Sequence, residues 1–171
     1  MLLLMIRPLT PTIFFSILVA WGTAGAGTVP GPYGVIFGQE YDVLEHKSIR
    51  RRENVRTVKL RTADKPDDTK ELRAEICDRY GLQIVTWKSH IRGLDVARER
   101  HVELANEISD KFGVPTSGPA VRKKKLVWQK DAITVVLKIR RENSVYQNQI
   151  RYFGPKNEPC LTRLMKRIQS K

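Results

Sequence analysis

From Lys123 to Phe153 the chain alternates apolar and polar residues in three runs separated by short polar breaks, KKKLVWQKDAITVVLKIRRENSVYQNQIRYF. A period of two puts successive side chains on opposite faces of a strand. The stretch therefore predicts a C-terminal three-stranded antiparallel meander. With Lys130-Asp131 as one two-residue turn, Trp128 stands opposite Ile133 and Leu126 opposite Val135. With Glu142-Asn143 as the next, Ile139 faces Tyr146, Val135 faces Ile150 and Ile133 faces Tyr152. This register gathers the large apolar residues on one face, and a slip of one residue exposes them all. The opposite face carries Lys123, Lys125, Lys138, Arg140 and Arg151, with Gln147 and Gln149 among them and Lys123 directly opposite Lys138.

The rest of the chain supplies supports for that sheet. Thr28 to Gly38 is rich in proline and glycine and predicts an extended lead-in with one short strand. Tyr41 to Ile49 predicts a short helix, and Val55 to Arg61 alternates as a strand with an arginine-decorated surface. Asp68 stands three residues before Glu71, a pattern suited to a helix N-terminus, and Leu72, Ile76 and Tyr80 recur at four-residue spacing before Gly81. Those signals predict a helix after Asp68. Leu82 to Ser89 is apolar on both faces, as a central strand is. Asp95 is placed to cap the next helix, whose stripe of Ala97, His101, Leu104, Ala105, Ile108 and Phe112 runs to Gly113 and Pro115. After Pro159 and Cys160 a short amphipathic helix bears Leu161, Leu164, Met165 and Ile168. The pattern is α+β: an antiparallel sheet ending in the meander, a long helix on one face and short flanking helices.

The N-terminus changes where this domain is expected to work. Arg7 precedes the apolar run Ile13 to Ala20, and Ala24-Gly25-Ala26 has the small-x-small form of a cleavage site. Residues 1–26 read as a secretory signal, leaving 27–171 as a single α+β domain in the periplasm or outside the cell. A transmembrane helix needs about 20 apolar residues, so no span is expected in the mature chain. In an exported protein the two cysteines, Cys77 and Cys160, suggest a disulfide; two buried thiols are the other reading. The absence of a C-x-x-C pair gives a redox role little support.

Charge then narrows the partners. The 171 residues carry a formal charge of +13 with a pI near 10.0. It is unevenly spread: residues 46–61 are net +6, residues 122–171 net +11 and residues 62–121 net −2. Such a surface attracts anions at long range. If the two basic segments lie side by side, Arg50, Arg51 and Arg52 join Lys123, Lys125, Lys138, Arg140 and Arg151 in one anion-binding surface. An anionic envelope component or an acidic protein fits best. Nucleic acid fits less well, because Trp128, Tyr146 and Tyr152 belong to the core instead of offering exposed stacking platforms.

Catalytic and metal chemistry find few carriers. The chain has no G-x-S-x-G elbow and no glycine-rich phosphate loop. Of the three histidines His46, His90 and His101, the last two lack the i, i+4 spacing of zinc helices, and His101 falls on an apolar stripe as a satisfied core histidine does. Asp64, Asp67 and Asp68 lack the ligand spacing of an EF-hand and serve a helix start better. No cofactor or metal is expected. The series Lys111-Phe112-Gly113-Val114-Pro115, then Trp128 on a strand and two further strands, resembles small secreted bacterial α+β domains of unknown function. In those a long helix ends in a Gly-x-Pro turn before an antiparallel hairpin. The resemblance spans roughly residues 82–153; it implies a fold and no catalytic residue. The expectation is an exported, non-catalytic binding or accessory protein that attaches electrostatically to an anionic surface or acidic partner. The alternatives are a periplasmic inhibitor or adaptor and a small hydrolase with an unrecognised site.

Overall fold

Alternation governs most of the structure, a computed structural model that describes residues 28–40, 46–52, 54–90, 92–117 and 125–157, with the backbone alone for 46–50 and 52. Its elements are β1 (Val29–Pro30), β2 (Ile36–Phe37), β3 (His46–Arg52), β4 (Val55–Leu60), β5 (Thr69–Cys77), β6 (Gly81–Ser89), α1 (Leu94–Phe112), β7 (Lys125–Lys130), β8 (Ile133–Glu142) and β9 (Val145–Phe153). Strands β3 to β9 form one antiparallel sheet in the order β3-β4-β5-β6-β9-β8-β7; β1 and β2 pair separately. The helix packs on one face of the sheet, against β7, β8 and β9. The fold is α+β.

The helix-side face is the core. Leu72, Ala74, Val85, Trp87, Leu126, Trp128, Val135, Leu137 and Ile150 are buried there, and α1 presents Ala97, Leu104, Ala105 and Ile108. Each fully buried large side chain contributes about 1.5–3 kcal/mol. The two buried indoles keep their N–H groups satisfied: Trp87 Nε1 donates to Thr69 Oγ1 at 2.7 Å and Trp128 Nε1 to Ser109 Oγ at 3.2 Å. His101 is buried on the helix stripe, with Nδ1 3.2 Å from Asn148 Oδ1, while Asn148 Nδ2 donates to Ala97 O at 2.9 Å. The Asn148 backbone N–H also donates to Ser89 Oγ at 3.0 Å, so a buried amide joins helix, β9 and β6.

Several local expectations are corrected. The stretch after Asp68 is the strand β5 and no helix. Leu72 and Ile76 sit four apart, a spacing shared by a helix turn and by two steps of a strand; the residues between them decide. Ala74 points inward with them, and Glu71, Arg73 and Glu75 point outward, which is a period of two. Helix-favouring Glu, Leu, Arg and Ala yield to pairing with β4 and β6. Gly81 ends no helix; it opens β6 at φ 63°, where a Cβ would stand 2.5 Å from the carbonyl oxygens of Gly38 and Gln39. Of the helix expected at Tyr41–Ile49, residues 41–45 lie outside the described residues and His46 to Ile49 belong to β3. The helix N-cap is Gly93, so Asp95 sits inside the first turn, 3.5 Å from Arg98. The terminal helix after Pro159 falls outside the described residues.

Both hairpin registers differ from expectation by two residues. The β7–β8 turn is Asp131-Ala132, with Lys130 opposite Ile133, Trp128 opposite Val135 and Leu126 opposite Leu137. Both turn residues have positive φ, 48° and 63°, as a two-residue hairpin matching the strand twist requires. Aspartate tolerates the first of these positions better than lysine does. At the β8–β9 turn Glu142 faces Val145, and Asn143 takes φ 59°. Val135 therefore faces Tyr152 and Leu137 faces Ile150. A two-residue shift keeps every side chain on its face, so the partition between apolar and cationic sides survives.

Candidate anion-binding face and a buried apolar pocket

The outer face of the sheet is organised in rows across the strands. One row runs Glu71, Lys88, Gln149, Lys138, Lys125 through β5, β6, β9, β8 and β7. Lys125 faces Lys138 directly, the place expected for Lys123, which itself lies outside the described residues. Like charges in that position repel. Arg140 lies two residues along β8, opposite Gln147, and Arg151 on β9 faces Val136. Burial first, then the charges of Arg140, Arg151 and Lys125, hold the Lys138 ammonium below its ordinary pKa. Lys125, Lys138 and Arg140 make no ion pair among the described residues.

The remaining candidates separate from this cluster. Arg151 Nη2 sits 3.2 Å from Glu75, so its charge is shared. Arg51 reaches Asp78 at 3.6 Å, alongside Arg56 at 3.1 Å. The backbones of Arg50 and Arg52 pair with Thr57 and Val55 in β3. That strand is the edge of the sheet opposite β7, six strand spacings or roughly 29 Å along the sheet. Among the described residues, Arg50–Arg52 on β3 and Lys125 on β7 therefore stand on opposite edge strands of the sheet. Strand order is a property of the whole fold, and nothing local in the Arg50–Arg52 stretch encodes it. Of the disulfide candidates, Cys77 is buried at the end of β5 and Cys160 lies outside the described residues.

A second feature, not foreseen from the sequence, lies on the helix side. A pocket of about 470 Å³ opens between the β1–β2 lead-in, the C-terminal half of α1 and the ends of β8 and β9. Its walls include Pro32, Leu104, Ile108, Phe112 and Ile150, and two phenols, Tyr33 and Tyr152, line it together. The phenol rings meet edge to face with centroids 5.9 Å apart. Burial, then the Tyr152 charge and hydrogen bond, raises the Tyr33 pKa well above the phenol range. Burial pushes Tyr152 up to about 12, and its hydrogen bond with Tyr33 works against that rise. The rim carries Glu107, Lys111, Lys130 and Asp131. Tyr152 alternates inward and reads simply as core; only the fold of Tyr33 over the helix reveals a cavity beside it.

Among the described residues no group of three or more His, Cys, Asp or Glu is placed to hold a metal ion, and no helix is long and apolar enough to cross a membrane. Comparison with family models, with curated proteins and with solved structures finds no match to this chain.

Proposed function

We propose that the protein is an exported, non-catalytic binding module that attaches electrostatically to an anionic envelope component or acidic partner. The attachment surface is the outer face of a C-terminal meander of β7, β8 and β9. The carrying observation is the group of Lys125, Lys138 and Arg140 on adjoining positions, none of which forms an ion pair among the described residues. Folding gathers these charges against their mutual repulsion, and a bound anion relieves it. In this reading residues 1–26 are a signal removed after Ala26, and Cys77 and Cys160 form a disulfide tethering the terminal helix in the periplasm or outside the cell. The adaptor alternative, pairing at the β7 edge, is disfavoured at Val127. There the N–H donates to Ser117 Oγ at 3.0 Å and the carbonyl accepts from Thr116 N at 2.8 Å.

Immobilised heparin and anionic phospholipid vesicles test the surface. Binding is expected at low salt and to weaken steeply towards physiological ionic strength, where the screening length falls to about 8 Å. Negligible binding of both at low salt would refute the proposal. Intact mass of the exported protein tests the tether: no alkylation before reduction and two alkylated thiols after it are expected. Two reactive thiols without reductant would rule the disulfide out.

A further inference from the structure

The row across the outer face holds one polar atom that its neighbours leave unserved. Gln149 lies on the face opposite the core, between Lys88 and Lys138, yet it is only 5% exposed. Its Oε1 is buried and accepts no hydrogen bond among the described residues. Side-chain oxygens buried in this way are nearly always hydrogen-bonded, so an unmet one points to a partner from outside the chain.

The donors around it are engaged elsewhere. On the β6 side Lys88 Nζ lies 2.8 Å from Glu71. Along β9 Arg151 Nη2 reaches Glu75 at 3.2 Å, and Gln147 Nε2 donates to Ser89 O at 2.8 Å. On the β8 side stands Lys138, which faces Lys125 and is two residues from Arg140. None of these three cations forms an ion pair among the described residues, and neither does Glu142 at the turn beyond them. Two unlike features therefore adjoin: a group of three cations and, one strand spacing or about 4.8 Å away, a buried neutral acceptor.

An anion alone answers only the first. A negatively charged oxygen has no hydrogen to give and is repelled by the amide oxygen. A ligand that meets both carries a hydroxyl a short way from its anionic group. Three cations around one position also suit a phosphate monoester better than a carboxylate. The phosphate brings three terminal oxygens and a charge of about −1.5 to −2 at neutral pH, against two oxygens and a single charge.

We propose that the cationic end of the outer face binds a polyol phosphate, its phosphate monoester seated among Lys125, Lys138 and Arg140 and a hydroxyl on the neighbouring carbon donating to Gln149 Oε1. This ligand class rests on the anion-binding reading of the face and goes one step beyond it. The phosphate supplies attraction, and the hydroxyl supplies selection. Lys138 stands opposite Gln149, and the swing of its flexible stem onto the phosphate opens the way to the amide.

Glycerol phosphate and propyl phosphate share their charge and carbon skeleton and differ in the hydroxyls. Each is titrated into the full chain at low salt and followed by NMR shifts. Glycerol phosphate is expected to bind on the order of five-fold tighter, the worth of one neutral hydrogen bond. Gln149→Leu is expected to erase that preference and bring the two ligands within two-fold of each other. The parent protein reports the preference by itself, so the comparison holds even if Gln149→Leu does not fold. Vesicles doped with lysophosphatidate, which keeps the hydroxyl, or with phosphatidate, which lacks it, repeat the comparison on a membrane. A preference in solution assigns a ligand recognised without a membrane; one confined to vesicles assigns a lipid headgroup. Equal or absent binding of the hydroxylated and hydroxyl-free ligands in both arms overturns the proposal, and so does a preference that survives Gln149→Leu. If heparin and anionic vesicles still bind in that case, the anion-binding reading stands without the polyol; if they do not, both fall.

Discussion

The row that crosses five strands of the outer face ends in two different ways. At β5 and β6 the cations have partners: Lys88 reaches Glu71 at 2.8 Å, Arg73 closes on the same carboxylate, and Arg151 one row over takes Glu75. At β7 and β8 Lys125 faces Lys138, Arg140 lies beside them, and none of the three forms an ion pair among the described residues. Gln149 stands between the two regimes as a neutral spacer. Both ends are antiparallel sheet, so geometry does not explain the contrast. Where carboxylates interleave, positive charge is part of the sheet's own cross-strand bonding; where they do not, it is left for solvent or a partner. A count of basic residues along the chain misses this distinction.

Charge reversal at the uncompensated end is expected to have the largest effect. Lys138→Glu with Arg140→Glu should cut affinity for anionic vesicles by about 30-fold, at ~1 kcal/mol for each cation at a charged surface, while the fold remains intact by circular dichroism. If Arg73→Glu weakens binding as much, the two ends are not different. Next in size is Glu71→Gln, which strands Arg73 and Lys88 and should lower unfolding free energy by about 1–2 kcal/mol at neutral pH.

The same carboxylate sets an acid sensitivity. Burial works to raise the Glu71 pKa, but the hydrogen bonds and charges of Lys88 and Arg73 prevail and hold it below its ordinary value. With the folded-state pKa depressed, the contribution is full above the unfolded-state value near 4.5 and is lost as pH falls through the folded one. Urea midpoints of parent and Glu71→Gln should therefore converge in acid; a constant gap down to pH 2 would remove Glu71 as the cause. The smallest effect is expected at Lys138→Gln, where relieving repulsion should stabilise by a few tenths of a kcal/mol. A lower melting temperature would mean that Lys138 is held by an attraction instead.

Much of this face was legible in the sequence for a physical reason. Side chains in a strand repeat every second residue, so turns misplaced by one residue, which shift the register by two, still put Lys125, Lys138, Arg140 and Arg151 opposite the core. The long helix was legible because its stripe holds over many turns and Gly113 closes it. Strand β5 was not, because Leu72 and Ile76 satisfy two periods at once and the acidic residues before them mimic a helix start. The position of Arg50–Arg52 depends on the order of seven strands, and the pocket depends on Tyr33 folding back on α1. Neither leaves a trace in local periodicity.

Asn148 has a mechanical consequence for the sheet and helix it joins. Its side chain is bound to Ala97 O and His101, and its backbone to Ser89. Lifting α1 from the sheet strips a buried amide of its partners in a dry environment. These bonds fasten helix and central strands together, so in hydrogen–deuterium exchange the amides of α1 and of β6 and β9 are expected to open together, and fraying of the helix ahead of the sheet would contradict it.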